Sequence, residues 1–414
     1  MRFVELNQDE FVQFLNHHPL RTFFQLPAMD FLGEKGGWTS DYVGVKDDQQ
    51  QIIAASRIMS CPTRFGKRIF YAPRGILVDY ENKDQLTFFT NELKKFIKAK
   101  QGYVLHIDPP LLYKERDING NLVAGGFDHH QAYLNLLSLG YQHGGFIRHY
   151  EESRQVRWGF VLPLENKTED DILKGMKGNT RRTIQRAMHY GVTVRSLEYD
   201  ELDKFIHIMD STSARRHFSD RGLDYYQTMY QIFHDQGYVK YMLAEVHIDD
   251  TIKVLQADRD ELFKKSQKEN IRQKQLAELN RNIAAVDKKI ATMNELKEKH
   301  GEHLELAAGM FMFYGDEVIY YYSGSYGEYM VFGGQHIIQW RMIQEALKQH
   351  KKNYNFYGIK GIFDPKDSDY GVYEFKKGFN GHVIEYIGDF FLPISSYYYI
   401  EQIARKLKRL KRGK

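Results

Sequence analysis

Over the first 150 residues the apolar positions switch back and forth between helical and strand periodicity. The stretch "NQDEFVQFLNHH" predicts a helix capped by Asn7 or Asp9, while "YVGVK", "QIIAASRIMS" and "RIFYAP" are β-branched and aromatic runs that predict strands. After "PRGILVDY" the apolar residues of "NKDQLTFFTNELKKFIKAKQ" return to helical spacing, and "YVLHIDPP" is a strand again. An α/β domain with a mixed sheet is expected here.

The same order recurs further along. "VRWGFVLPL" and "VTVRSL" predict strands around a helix pair ending on Gly191, "YDELDKFIHIMDSTSARR" a helix and "VKYMLAEVHI" a strand; the pattern resumes at "LAAGMFMFYGDEVIYYYSGS" and "GGQHIIQWRMIQEALKQH". Between these halves, from about Leu255 to His300, there is neither Gly nor Pro. Leu276, Leu279, Ile283, Val286, Ile290 and Met293 alternate spacings of three and four within a charged background. That heptad seam predicts an antiparallel helical hairpin leaving and rejoining the second domain. A turn is expected near "ELNRN", with about 20 residues per leg and a reach of about 30 Å.

With 414 residues the chain exceeds what one core supports, so two or more domains are expected. Lys and Arg exceed Asp and Glu by 58 − 54 = 4, but the excess is concentrated in "RKLKRLKRGK", which contains no acid. From Tyr397 onward Ile400, Ile403, Leu407 and Leu410 recur every three or four residues among those bases, the pattern of an amphipathic helix suited to an anionic surface. Cys61 is the single cysteine, which excludes an intramolecular disulfide and a thiolate cluster. Neither a signal peptide nor an apolar run of membrane-spanning length is read, so a cytoplasmic location is expected, with the basic tail free to touch the inner face of the plasma membrane.

The chain has no GxxxxGK[ST] loop, GxSxG elbow, HExxH or paired CxxC, and "DHHQ" at 128–131 suits an exposed loop better than a ligand set; no metal site is expected. Candidate chemistry lies instead where charged residues meet glycine or aromatics at the ends of elements. Lys35 stands beside Gly36 and Gly37, which permit close backbone approach. Arg221 precedes Gly222 at the opening of a helix, with Tyr225 four residues on, a setting for phosphate recognition. Asp108 ends a buried strand before two prolines, where a carboxylate could orient or deprotonate an amine, or simply cap the turn. Arg74 and Gly75 occupy a turn. In "GVYEFKKGF", Lys376 and Lys377 lie between Phe375 and Phe379, where an ammonium costs solvation unless it snorkels to water or has an anionic partner.

Taken in order, "YAPRGILVDYEN", "YVLHIDPPLLY", "SRQVRW", "NFYGIKGIFD" and "GVYEFKKGFNGHVIEYIGDFFLPI", with the charged hairpin between them, resemble the Fem family of peptidoglycan interpeptide-bridge aminoacyltransferases. The resemblance implies an α/β fold of two acetyltransferase-like domains. These would be residues 1–150, then 151–250 with 304–394, with a coiled-coil arm at 251–303 and a basic tail at 395–414. It further implies transfer of Gly, Ala or Ser from aminoacyl-tRNA to the side-chain amine of a lipid-linked precursor's stem peptide, without a cofactor, with related transferases as further partners. On the family pattern Lys35 and Arg221 grip the precursor's diphosphate and Tyr103 and Tyr225 line the same groove. Lys376 stands by the transferred ester as oxyanion stabiliser, and Asp108 lies at the acceptor amine. Phe375 and Arg74 complete the expected substrate-binding set. An activated ester needs neither ATP nor metal, in keeping with the missing motifs. Two rivals remain. A CoA-dependent N-acyltransferase would show a pyrophosphate loop that is absent, and a non-catalytic nucleic-acid scaffold would leave Asp108, Arg221 and Lys376 unused.

Overall fold

The computed structural model describes residues 1–34, 36–151 and 154–412, and Lys35 lies outside them. Fourteen strands are present among the described residues: β1 Arg2–Glu5, β2 Thr39–Lys46, β3 Ile52–Pro62, β4 Arg68–Ala72, β5 Gly102–Ile107, β6 Gln142–His143, β7 Trp158–Pro163, β8 Thr193–Ser196, β9 Val239–His247, β10 His303–Tyr314, β11 Glu317–Ser325, β12 Asn353–Ile359, β13 His382–Glu385 and β14 Phe390–Pro393. The chain divides into two compact units, Met1–Val161 with Tyr357–Lys377 and Gly381–Lys414, and Leu162–Phe356 with Gly378–Asn380.

The first unit holds a sheet in the order β1-β2-β3-β4-β5-β14-β6. The helix Gln8–His17 begins with a capping box, Asn7 accepting from the Glu10 amide while the Glu10 carboxylate accepts from the Asn7 amide. The helix Lys83–Ala99, capped by Asn82, buries Leu86, Phe89, Leu93 and Ile97, one face at spacings of three and four. That face packs on Val43, Ile58, Phe70, Leu105 and Ile107 of the sheet. The same helix makes the crossover between β4 and β5, which run parallel with Ala72 opposite Ile107. β13 lies antiparallel to β7, with Val383 opposite Phe160.

In the second unit, β8, β9, β10, β11 and β12 follow in that order. The helix Gly334–Lys348 crosses from β11 to its parallel neighbour β12, so each unit contains one parallel βαβ step inside an otherwise antiparallel sheet. Strand β14 differs from the expected partition. It lay within residues assigned to the second domain, but it pairs with β5, Leu392 opposite Leu105, and completes the first sheet. Four residues carry no signal for which sheet they will join.

The hairpin is formed by the helices Ile248–Ser266 and Gln273–His300. Two ion pairs fix its sense. Asp249 meets Lys297 at 2.6 Å and Arg259 meets Asp287 at 2.6 Å, so moving ten residues along one leg moves ten back along the other, which makes the legs antiparallel. The turn spans 267–272, about ten residues before the expected "ELNRN". Asn270 takes the left-handed conformation there (φ 69°), which asparagine tolerates in place of glycine. The half near the unit is held by buried Leu255, Val286 and Met293, by Thr251 donating to the Tyr190 carbonyl at 2.8 Å, and by Lys289 donating to the Tyr190 hydroxyl at 2.7 Å. Replacing residues 260–285, which include none of these three apolar residues, with a short Gly/Ser bridge is therefore expected to leave the thermal midpoint within a few degrees. Replacing 249–297 should lower it by about 10 °C or more, because Leu255, Val286 and Met293 leave a core; a calorimetric scan of both variants checks this.

Candidate active site

Three of the expected residues come together in the first unit. Asp108 follows β5 and is 3% exposed; its Oδ1 accepts from the Arg74 backbone amide at 2.7 Å and its Oδ2 from the Tyr71 hydroxyl at 3.2 Å. Burial pushes its carboxyl up to about 6, against the opposing positive charge of Arg74. Arg74 has φ 47°, a conformation costly for a residue with a Cβ, and the Asp108 carboxylate holds its amide there. Glycine is required next, since a Cβ on Gly75 would lie 2.9 Å from the Gln25 amide nitrogen and 3.0 Å from the Ser56 hydroxyl. The Arg74 guanidinium lies 4.3 Å over the Tyr386 ring and donates to the Val156 carbonyl at 2.7 Å.

Val156 leads to the lysine. Gly358, in β12, approaches it so closely that a Cβ there would stand 2.7 Å from a Val156 methyl. The Gly358 carbonyl accepts from Lys376 Nζ at 2.6 Å and from the Tyr150 hydroxyl at 3.2 Å, while the adjacent Tyr357 hydroxyl donates to Gln155 at 2.8 Å. Asp108, Arg74, the 155–158 segment, Gly358 and Lys376 thus form one bonded series.

Lys376 lies on the helix Tyr370–Lys377 and is 6% exposed. Tyr373, three residues earlier, is buried on the same face, whereas Lys377 pairs with Glu374 at 3.6 Å and lies 5.0 Å over the Tyr373 ring. Helical geometry therefore separates the two lysines. Desolvation alone brings the Lys376 ammonium down to about 7, with a carbonyl and, among the described residues, no carboxylate set against its charge. Phe375, half-buried beside it, belongs to the same helix.

The remaining candidates lie elsewhere. Tyr103 is at the start of β5, five residues from Asp108 and so about 16 Å along the strand. It packs with Val104 and Tyr398 and meets Tyr397 edge-on at 5.1 Å, beneath the helix Tyr397–Arg412; the structure does not place it with Asp108, Arg74 and Lys376. In the second unit, exposed Arg221 stands just before Gly222 (φ 81°) and the helix Leu223–Phe233. Its Nε donates to the Tyr322 hydroxyl at 3.3 Å and its guanidinium lies 5.9 Å over the Tyr225 ring. Tyr225 and Tyr322 meet edge-on at 5.9 Å, so Arg221 and Tyr225 form one aromatic-lined cationic corner.

Several contributors had no sequence signal. His106, between the rings of Tyr71 and Phe391, binds Asp389 at 2.6 Å, and Glu385 takes Arg116 at 2.6 Å together with Arg157 as a buried triad. These partners are separated by 283, 269 and 228 residues.

A family model described as the FemAB family matches residues 6–406. The chain belongs to the FemAB family. Aminoacyltransferase FemA of Staphylococcus epidermidis is 35% identical over 422 residues, covering all of both chains, and Aminoacyltransferase FemA of Staphylococcus aureus (strain NCTC 8325 / PS 47) is 34% identical over 416 residues, 98% of each. A solved structure of FemX superposes with a TM-score of 0.77 at 23% identity, over 96% of this chain and 99% of that one, which shows a shared fold. FemAB membership accords with the ordered blocks noted in the sequence, two of which carry Arg74 and Lys376. Among the described residues no helix is long and apolar enough to cross a membrane.

Proposed function

We propose that this FemAB chain is an aminoacyltransferase that moves Gly, Ala or Ser from aminoacyl-tRNA to the side-chain amine of the stem peptide of a lipid-linked peptidoglycan precursor. The observation that carries the reading is Lys376, a buried amine that has no anionic partner among the described residues. Attack of the acceptor amine on the ester carbonyl turns that oxygen into an oxyanion. An ammonium fixed beside it gains a partner only as that charge develops. Collapse of the intermediate breaks the bond to the tRNA ribose oxygen, which leaves as a hydroxyl by taking up the proton that the amine loses.

In this reading Asp108 is a positioning residue. Both of its oxygens are engaged by Arg74 and Tyr71, and it sets the Arg74 turn that supports Val156 against Gly358. Arg221 binds the precursor's diphosphate, with Tyr225 as a further contact, whereas Tyr103 is buried beneath the helix Tyr397–Arg412 and takes no part. No cofactor is invoked, because the aminoacyl ester is already activated. Acetyltransferase-like character of both units and a coiled-coil role for the hairpin in donor binding belong to the same proposal, as does residence in the cytoplasm.

The direct test incubates the protein with labelled glycyl-, alanyl- and seryl-tRNA and a lipid-linked precursor, with labelled acetyl-CoA as the competing donor. Label moving from a tRNA to the stem peptide is expected; label moving only from CoA would overturn the reading. Arg221→Ala is expected to weaken binding of the diphosphate precursor about tenfold, from loss of charge-assisted hydrogen bonds. It should leave tRNA binding within about twofold. Unchanged precursor affinity in a fluorescence titration would remove Arg221 from that site.

A further inference from the structure

Phe65 is the most exposed large apolar residue among those described, at 84%, and it stands at the tip of the turn between β3 and β4. The turn is closed by the Thr63 amide and hydroxyl, both donating to the Lys67 carbonyl at 2.6 and 2.8 Å, so the ring is held outward by a bonded loop. Its backbone is left-handed (φ 60°), an unfavourable setting for a bulky aromatic, and folding gains nothing from a ring left in water. Arg64 and Lys67 flank it, with no carboxylate partner among the described residues.

The neighbouring surface is apolar as well. The Phe65 ring meets Tyr397 edge-on at 6.5 Å, at the start of the helix Tyr397–Arg412. That helix is anchored by buried Tyr398, which packs with Tyr103 and Val104 and donates to Gln142 at 3.3 Å. Beyond the anchor Ile400, Ile403 and Leu407 are all more than half exposed, and their spacing of three and four places them on one helical face. Residues 401–414 carry seven Lys and Arg against the single Glu401.

We infer that the Phe65 turn and the helix Tyr397–Arg412 form one docking surface for an anionic lipid bilayer, with Phe65 and the Ile400–Ile403–Leu407 stripe entering the interface and the bases meeting lipid phosphates. A nucleic acid would satisfy the bases but not the aliphatic stripe, which offers no flat face for a base to stack on; a bilayer satisfies both. The inference goes beyond the transfer reaction, although a lipid-linked acceptor would give the surface a use. Its experiment reads partition and not turnover, so either reading can fail alone.

The full chain is mixed with vesicles of phosphatidylcholine alone and with vesicles also containing phosphatidylglycerol, and binding is measured by co-sedimentation. Strong binding is expected only with phosphatidylglycerol, falling as salt is raised. Phe65→Asn, which keeps the left-handed turn, and Ile403→Ser should each weaken the partition about tenfold. Phe65→Trp should keep it and show a blue-shifted emission on adding vesicles. Both weakened variants should unfold at the wild-type temperature, since neither side chain is buried. Wild-type partition by Phe65→Asn, or equal binding to vesicles without anionic lipid, would overturn the inference. So would unaltered vesicle binding in variants that lose affinity for RNA, which would give the surface to nucleic acid.

Discussion

Lys376→Met is expected to lower aminoacyl transfer at least 10²–10³-fold, the size of loss known for removing one oxyanion donor, while leaving precursor binding within a few fold. Methionine fills a similar volume without charge. The Gly358 carbonyl that Lys376 engages keeps its bond from Tyr150, so the fold loses no essential partner. Stability should move the other way from activity. A lysine whose folded value is near 7 and whose unfolded value is about 10.4 binds fewer protons folded than unfolded between those limits. The wild-type protein therefore carries the full cost of the buried ammonium below pH 7 and is relieved of it as pH rises towards 10. The variant should gain on the order of 4 kcal/mol at pH 6 and progressively less at pH 9, read from denaturant midpoints. The wild-type kcat/KM profile should also break near pH 7, and the break should be missing in the variant. Lys377→Met, which removes the pairing with Glu374 and the contact over the Tyr373 ring but leaves the Lys376–Gly358 bond in place, should retain near-normal transfer. If Lys377→Met were the inactive variant and Lys376→Met the active one, the assignment would fail.

The two lysines also show what local pattern can and cannot reveal. Their separation follows from a helix of eight residues, in which Tyr373 and Lys376 share a face; flanking phenylalanines alone leave the register open. The hairpin's second leg was legible because six aliphatic residues mark a seam, and all six are less exposed than the charged residues around them. Its turn was not, since "QKENIR" contains no glycine or proline and relies on Asn270 for the left-handed residue. Asp108 at the end of β5 was legible as a position, since an apolar strand followed by two prolines leaves little choice. Its partners were not: whether a strand-end carboxylate faces open space or an arginine is decided by the packing of β4 beside β5, which no spacing within either strand encodes. Tyr103 illustrates the converse. A tyrosine in a buried strand has the same local pattern whether it lines a groove or anchors a helix, and here Tyr397 and Tyr398 decide.

Arg74→Met is expected to be the most destabilising single change near the site, and its effect should depend on pH. Methionine preserves much of the side-chain volume over Tyr386 but leaves the Val156 carbonyl without its donor and the Asp108 carboxylate buried without its counter-charge. The guanidinium acts on Asp108 through charge alone, since the bond between them comes from the Arg74 backbone amide, and losing that charge together with the Val156 bond is expected to cost about 1–3 kcal/mol. The sign with pH follows from Asp108. Its folded value, about 6, lies above the unfolded value of about 3.9, so its contribution is fully present below pH 4 and is lost as pH rises through 6. Removing Arg74 removes the strongest opposing influence on that carboxyl, which raises the folded value further and extends the loss to higher pH. Arg74→Met should therefore cost least at pH 5, where Asp108 can hold a proton in both proteins, and most at pH 8, where only the variant is left with an unpaired carboxylate. Urea midpoints at the two pH values measure this directly. Adding Asp108→Asn to Arg74→Met should recover much of the loss at pH 8 and little at pH 5, the non-additivity expected of residues sharing one interaction. Equal losses at both pH values would mean that Arg74 supports the site through the Val156 carbonyl alone, and that Asp108 does not carry a charge paired with it.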